Sequence, residues 1–494
     1  MCDRRGRPWR TLPVVAGAAF AAALLLVIGG AAKNQAHAAV NPNRNGGSMN
    51  HEKNPAISLD PRNPHYYLFR GRPTILISSA EHYGAVLNLD FDEKTYLNTL
   101  AHDGMNYTRV FTGAYCEDPA AFNIKNNTLA PEPDRFICPW ERSQTPGYAN
   151  GGNRFDLNRW DDAYFQRLKS FCAEAGRHGI VVEVSLFCPF YNDSMWKLSP
   201  MNAANNINGV GNCASKEVYT LAHPDLTRAQ DSMTRKIVEE LRDFDNVVFE
   251  ICNEPYFGGV TLDWQRHIAA TIAAAEAGSG RRHLIAQNIA NQSARVENPD
   301  PNVSILNFHY ASPPTAVAEN YGLNRVIGFD ETGFRGVHDD PYRTDAWEFI
   351  LAGGALYNNL DYSFTTDHPD GTAIVTDPTP GGGGPKLRAE LKTLKGFIDR
   401  LPFDRMRPAA DLIRSGAPEY QALAEPGTTY AIYFQRGASS PLVMMNVPAG
   451  KYHVEWVNPV SGVTTSDPDV SHAGGDLTLR PPYQGEIALM LTRA

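Results

Sequence analysis

The chain has 494 residues, 43% of them hydrophobic and 20% charged, with a formal net charge of −9 and an isoelectric point near 5.9. A chain this long exceeds one ordinary core, so two domains of a soluble globular protein are expected. The acidic balance and the lack of a basic stripe argue against nucleic acid as a partner and favour neutral ligands.

Arg4, Arg5, Arg7 and Arg10 precede an apolar run over 12–32, and Ala36-His37-Ala38 follows it. A positive start, an apolar stretch and a small-residue site in that order read as a secretory signal covering 1–38, removed after Ala38. The expected address is the periplasm or the extracellular space. No stable membrane partner is implied unless the run is retained as an anchor, for which about 20 apolar residues suffice. Export leaves six cysteines, an even number in a compartment where disulfides persist. Cys116 and Cys138 fall in one long loop and Cys188 and Cys213 in another. Each pair is expected to close within its loop, with Cys172 and Cys252 as buried thiols. No Cys-x-x-Cys or His-x-x-x-His spacing is present, so neither a metal nor another cofactor is expected.

A linker over 39–63, rich in Asn and Gly, leads into HYYLFRGRPTILIS, which reads as two short strands about a turn at Arg70-Gly71. Strand-like runs follow at 74–78, 107–111, 180–187, 247–252, 283–289, 304–308, 326–329 and 355–360. Helical patterns lie between most of them, at 91–102, 160–178, 224–244, 262–277, 313–321, 342–352 and 385–401. Alternation of this kind predicts an α/β fold, a (β/α)8 TIM barrel over 64–402. The insertions 113–158 and 188–223 follow strands two and three, where long ordered loops wall a cleft, and 377–384 covers the mouth after strand eight. Beyond 402, segments such as EYQALAEP, TYAIYFQRG and YHVEWVNPVSG alternate with turn residues. They predict a C-terminal all-β sandwich over 403–494, to which no chemistry is assigned.

Two barrel strands end in acids: VVFEICNEP closes on Asn253-Glu254-Pro255, and RVIGFDETG carries Glu331. Parallel barrel strands end on one face, so Glu254 and Glu331 are expected to meet across a shared pocket. Such a pair is the minimum equipment for hydrolysing a glycosidic bond, one group protonating the leaving oxygen while the other attacks or stabilises the anomeric carbon. Asn253 is placed to bond the hydroxyl beside the reacting carbon, and Arg109 on strand two to support Glu331, although Arg109 reads equally as structural. Glu250 shares the face of Glu254 deeper in the barrel, where a buried pair with Arg109 is expected. Asp330 is expected on the opposite face of its strand from Glu331. His309 and Tyr310, ending strand six, are expected to face ligand, and Asp361 on strand eight to bind sugar.

These residues resemble clan A of the retaining glycoside hydrolases, nearest in style to the cellulase-like enzymes of family 5. Asn253-Glu254-Pro255 matches that clan's acid/base motif on strand four, Glu331 its strand-seven nucleophile, and Arg109 a strand-two arginine. His309-Tyr310 resembles the pair that positions sugar and nucleophile. The resemblance covers 64–402 and implies cleavage of oligo- or polysaccharides by double displacement. The C-terminal part, with TYAIYFQRG and VEWVNPVSG, resembles a β-sandwich named as a collagen-binding domain, a name that implies no collagenase activity. Two departures stand out. Strand three ends in SLFCPFY without the family's histidine, and strand eight, NNLDYSF, lacks the tryptophan under the sugar. Ring contacts are therefore expected from His82, Tyr83, Trp196 or Tyr362. The rival reading is a non-catalytic carbohydrate-binding or matrix-attachment protein on a barrel scaffold. A protease reading lacks a Ser-His-Asp, Cys-His or zinc arrangement.

Overall fold

The structure, a computed structural model, describes residues 54–494; the signal read over 1–38 and the start of the linker lie outside them. Strands β1 (Ser58–Asp60), β2 (Asn63–Phe69) and β3 (Arg72–Thr74) form a small antiparallel sheet, so β1 already occupies the end of the stretch read as linker. This sheet seats under the barrel. Ile57 N donates to Asp245 O at 2.8 Å and Arg70 pairs with Asp245 at 2.7 Å, immediately below the start of the fourth barrel strand.

The barrel strands are β4 (Leu76–Ala80), β5 (Tyr107–Phe111), β8 (Val181–Ser185), β9 (Val247–Glu250), β10 (Leu284–Asn291), β11 (Ile305–His309), β12 (Val326–Thr332) and β13 (Leu356–Leu360). They run parallel in the order β4-β13-β12-β11-β10-β9-β8-β5. Helices α1 (Glu93–His102), α2 (Asp162–Arg177), α4 (Pro224–Leu241), α5 (Leu262–Ala275), α6 (Thr315–Asn320), α7 (Asp340–Leu351) and α8 (Pro385–Ile398) follow strands in turn, and α3 (Asp193–Leu198) sits in the loop after β8. Asp92, Asp161 and Thr261 cap α1, α2 and α5 through their side-chain oxygens, which fixes where those helices begin. None of the described helices is long and apolar enough to cross a membrane.

The seam between β4 and β5 is closed by a side chain. Asn106 Oδ1 accepts from Ile77 N at 2.8 Å and its Nδ2 donates to Ile75 O at 2.9 Å, while Asn106 N donates to Ile77 O at 3.2 Å. Asn106 thus replaces a missing stretch of ladder with its own amide.

The insertion after β5 contains a hairpin, β6 (Trp140–Pro146) and β7 (Asn153–Trp160), that the sequence reading treated as loop. It also ties the two insertions together, since Phe155 N donates to Asn205 O at 2.8 Å and Ile207 N to Phe155 O at 2.9 Å. The expected disulfides do not form: Cys116, Cys138, Cys188 and Cys213 are all free thiols, as are Cys172 and Cys252. Cys116 Sγ faces the Tyr148 hydroxyl at 3.8 Å, Cys138 Sγ the Trp140 carbonyl at 3.7 Å, and Cys188 Sγ the Asn253 amide at 3.5 Å. Aromatic packing orders these walls in their place, with the Arg142 guanidinium 4.9 and 4.6 Å from the centres of the Tyr148 and Phe155 rings.

Nine further strands build the C-terminal domain: β14 (Arg407–Pro408), β15 (Ile413–Ser415), β16 (Gln421–Glu425), β17 (Thr429–Phe434), β18 (Leu442–Val447), β19 (Gly450–Val457), β20 (Thr464–His472), β21 (Gly475–Leu479) and β22 (Ile487–Arg493). They form sheets β14-β16-β17-β22-β19-β20 and β15-β18-β21 around buried Trp456, Ile432 and Leu489. The domain docks on α7, where Trp347 stacks on Tyr433 at 5.3 Å and Arg343 pairs with Glu486 at 2.8 Å and with Glu390 at 2.9 Å.

Asn106→Ala leaves the buried Ile77 amide without its side-chain acceptor at the seam. A loss of about 2 kcal/mol in unfolding free energy is expected, measured by denaturant titration.

Candidate active site

Strand β9 carries Glu250 inward at its end, and the chain continues for four residues to Glu254, whose backbone takes φ +35°. Asn253 N donates to Phe187 O at 2.9 Å, which holds this extension against the end of β8. On β12 the expected alternation fails. Its pairing with β11 slips between Phe308 and His309, so that Phe308 faces Phe329 but His309 faces Glu331, and the extra residue is Asp330. This bulge lets both acids point into the barrel: Asp330 lies 3.5 Å from His309 Nε2 and 3.6 Å from Arg109, one level below Glu331. Gly328 beneath them has no side chain because a Cβ there would stand 2.3 Å from Asn307 Oδ1.

The carboxyl groups of Glu254 and Glu331 converge. His309 Nδ1 lies 3.2 Å from Glu254 Oε1 and 3.3 Å from Glu331 Oε1, and one oxygen of each acid falls within 4.8 Å of the other. Their surroundings differ. Glu331 accepts from the Tyr83 hydroxyl at 2.7 Å, from the Tyr310 hydroxyl at 2.6 Å and from Arg109 at 3.5 Å. Burial pushes its pKa up, but the His309 cation, Arg109 and the Tyr310 hydroxyl outweigh burial and hold it far below the usual carboxylate range. Glu254 accepts from the Tyr191 hydroxyl at 2.5 Å and from Tyr256 at 3.3 Å, with no arginine beside it.

His309 is fully buried. Burial alone would lower its pKa, yet Glu331 and Asp330 raise it well above the ordinary imidazole value. The Asn288 side-chain amide lies 2.5 Å from His309 Nε2.

Arg109 sits at the bottom of this network, wholly buried. It donates to Glu250 at 3.1 Å through Nε, to Asn253 Oδ1 at 2.8 Å and to Ser185 at 3.3 Å. It thereby fixes the Asn253 side chain, whose Nδ2 donates to Tyr191 at 3.0 Å. Glu183, lower still, is pushed well above the usual carboxylate range by burial and by Glu250 and Asp330. Five residues around the cavity take left-handed backbone: Tyr83 (+63°), Phe122 (+54°), Glu254 (+35°), Tyr310 (+52°) and Phe334 (+57°). Each such residue costs of order 1–3 kcal/mol unless its surroundings demand it, and here the positions coincide with the side chains that converge.

The space between them is about 50 Å³. His82, Tyr83, Asn253 and Tyr310, all expected at the site, line it with the two acids. Two others do not. Asp361 is fully buried and committed to Ser79 at 2.9 Å, Gly384 N at 3.2 Å and Arg388 at 2.7 Å. Trp196 donates to Cys213 O at 3.0 Å and packs on Phe190 inside its own loop. Sequence reasoning missed Tyr191, Glu117, Phe122 and Phe334. Only Tyr191 had a signal, as the aromatic that ends SLFCPFY where a site residue was sought. Phe122 and Phe334 meet edge to face at 6.3 Å across the mouth.

Among the described residues, three groupings have ligand atoms close enough to hold a cation. In Glu254–His309–Glu331 the imidazole already bridges the acids, and in Glu183–Glu250–Asp330 the Arg109 guanidinium occupies the cationic position. Cys213, Glu217 and His223 form the third on the 188–223 insertion, a mixed sulfur, oxygen and nitrogen set that no sequence spacing signalled.

No protein-family model and no curated protein matches the chain. Solved structures do. A candidate glycoside hydrolase from Bacteroides vulgatus aligns with TM-score 0.62 at 16% identity, over 90% of this chain and 84% of that one. A family 5 glycoside hydrolase from the same organism gives 0.61 at 14%, over 89% and 94%. A further glycoside hydrolase gives 0.60 at 14%, over 89% and 97%. The chain therefore shares the fold of these structures, over barrel and C-terminal β domain together.

Replacing His309 by Asn removes the cation between the acids, so the Glu331 pKa is expected to rise toward the ordinary carboxylate value, as read by carbon-13 NMR titration of the glutamate carboxyls. A depressed pKa contributes stability above the unfolded-state value that is lost as pH falls toward the folded-state value, so the variant gives up that contribution.

Proposed function

We propose that the protein is an exported, retaining glycoside hydrolase acting on oligo- or polysaccharides. The observation that carries this reading is the approach of Glu254 and Glu331 to within 4.8 Å in unlike surroundings. Retaining enzymes hold their two carboxyl groups about 5–5.5 Å apart, whereas inverting ones need about 6.5–9.5 Å to seat a water between them. Nearest oxygens within 4.8 Å, both in reach of one imidazole nitrogen, support direct attack.

Glu331, kept ionised by His309, Arg109 and two tyrosine hydroxyls, attacks the anomeric carbon while Glu254 gives its proton to the departing oxygen. The glycosyl ester on Glu331 is then opened by water. Glu254, now ionised, takes a proton from that water as its oxygen bonds to the anomeric carbon, and Glu331 leaves as carboxylate. Asn253, held by Arg109 and facing the cavity, is placed to bond the ring hydroxyl beside the reacting carbon. Export is supported by the sequence of 1–38 alone, and a mature chain beginning at Ala39 is its expected mark.

Incubation with 2-deoxy-2-fluoro glycosides bearing a good leaving group is expected to add one glycosyl mass, mapped by peptide analysis to Glu331; absence of an adduct from a hydrolysing enzyme would reject the covalent route. Glu331→Gly is expected to lose turnover by at least about 10⁴-fold, a scale set by removal of a group that acts in the transition state. Residual activity above a few per cent would assign the nucleophile elsewhere.

A further inference from the structure

The proposed reaction leaves a third carboxylate in the same cavity unused. Glu117, on the insertion after β5, is 5% exposed and lines the cavity beside His82, which is 9% exposed. Glu117 is held on three sides: the Tyr115 hydroxyl donates to Oε1 at 3.0 Å, Asn127 Nδ2 donates to Oε2 at 2.6 Å, and His82 Nε2 stands 3.3 Å from Oε2. Burying an ionised carboxylate costs several kcal/mol before its partners offset it.

Both members retain unused capacity. A carboxylate has about four acceptor positions, and these three partners fill three. His82 Nδ1 is buried without any partner. Burial lowers the His82 pKa, but Glu117, together with Glu331, outweighs it and favours the imidazolium, the form in which Nδ1 is a donor. Both residues lie in the cavity lining and have one donor and one acceptor position to spare, the complement of two adjacent sugar hydroxyls. His82 is also chained to the chemistry, because Tyr83 follows it and donates to Glu331 at 2.7 Å.

Charge narrows the ligand. The cavity lining includes three carboxylates and neither Lys nor Arg, and Arg109 lies beneath it, committed to Glu250 and Asn253. A uronate would bring a further anion among three carboxylates, where the one cationic side chain of the lining, His82, is already paired with Glu117. Volume adds a condition: about 50 Å³ holds a water or two, so an entering ring must part Phe122 and Phe334.

We propose that His82 and Glu117 are the sugar-recognition pair of this cavity, gripping two adjacent hydroxyls of a neutral ring seated at Glu331 and rejecting uronates, in place of the strand-three histidine and strand-eight tryptophan that the chain lacks. This assignment rests on the glycosidase reading.

The test is steady-state kinetics on 4-nitrophenyl glycosides of neutral hexoses and pentoses, their monodeoxy derivatives and their uronate counterparts, with wild type, Glu117→Gln and His82→Gln. For the best neutral substrate, one deoxy position is expected to cost the wild type about 10- to 100-fold in kcat/KM, the worth of one hydrogen bond to a charged group. The same deoxygenation is expected to cost Glu117→Gln almost nothing, and the adjacent position behaves likewise with His82→Gln. Uronates are expected to be poorer than their neutral counterparts by about 100-fold or more. Should Glu117→Gln melt early, His82→Gln carries the comparison. Identical deoxy losses in wild type and variants, or uronates cleaved as fast as neutral rings, overturn the pair while leaving the hydrolase intact. If no glycoside turns over and no fluoroglycoside labels Glu331, the hydrolase reading falls and the pair with it.

Discussion

A guanidinium that cannot shed its proton, shut away from water, is the constraint around which the barrel is organised. Arg109 has no exposed surface, and an arginine in that position is tolerable only where anions and acceptors surround it. Glu250, Asp330 and Glu331 supply the charge, and Ser185 and Asn253 the remaining acceptors. These five residues stand on or just beyond three different strands, so the charge is satisfied only when β8, β9 and β12 are in register with β5. The same contacts place Asn253 and Glu331. Stability and site geometry are therefore one requirement here, and the acid network cannot relax without disturbing both.

A second feature of the design is its irregular backbone. Strands alone alternate their side chains, which would send Asp330 and Glu331 to opposite faces. A bulge at Asp330 overrides that alternation, and the left-handed residues at Tyr83, Glu254 and Tyr310 swing three polar side chains toward one point. Tyr310 N donates to Glu331 O at 3.0 Å, tying the ends of β11 and β12 where both leave regular geometry.

The periodic parts of this molecule were legible in its sequence. Runs such as 107–111 are strands in full, and the patterns at 224–244 and 262–277 differ from α4 and α5 by a few residues at one end. Glu254, Glu331, His309 and Arg109 were legible too, because each lies on or beside a barrel strand whose end must reach the common face. What was hidden depended on local exceptions. Neither the bulge at Asp330 nor the hairpin inside the first insertion leaves a period to read. The cysteines misled because loop position says nothing about where a thiol points, and aromatic packing with Arg142 orders those walls instead. Asp361 ends a strand just as Glu331 does, yet Arg388 on α8 claims it, a contact across 27 residues that no local pattern announces. Glu117 and Phe122 stand on an insertion whose course is set by packing.

The docking of the C-terminal sheets on α7 bears on how the molecule is put together. Trp347 and Arg343 belong to the barrel by position, but Tyr433 and Glu486 from the sandwich cover and neutralise them. Cut at 402, the barrel would present a bare indole and a half-paired cation to water on the face opposite any use for them. The accessory sheets are thus a structural part of the barrel body and not a detachable passenger, and shuffling them between proteins would demand that the helix beneath change in step.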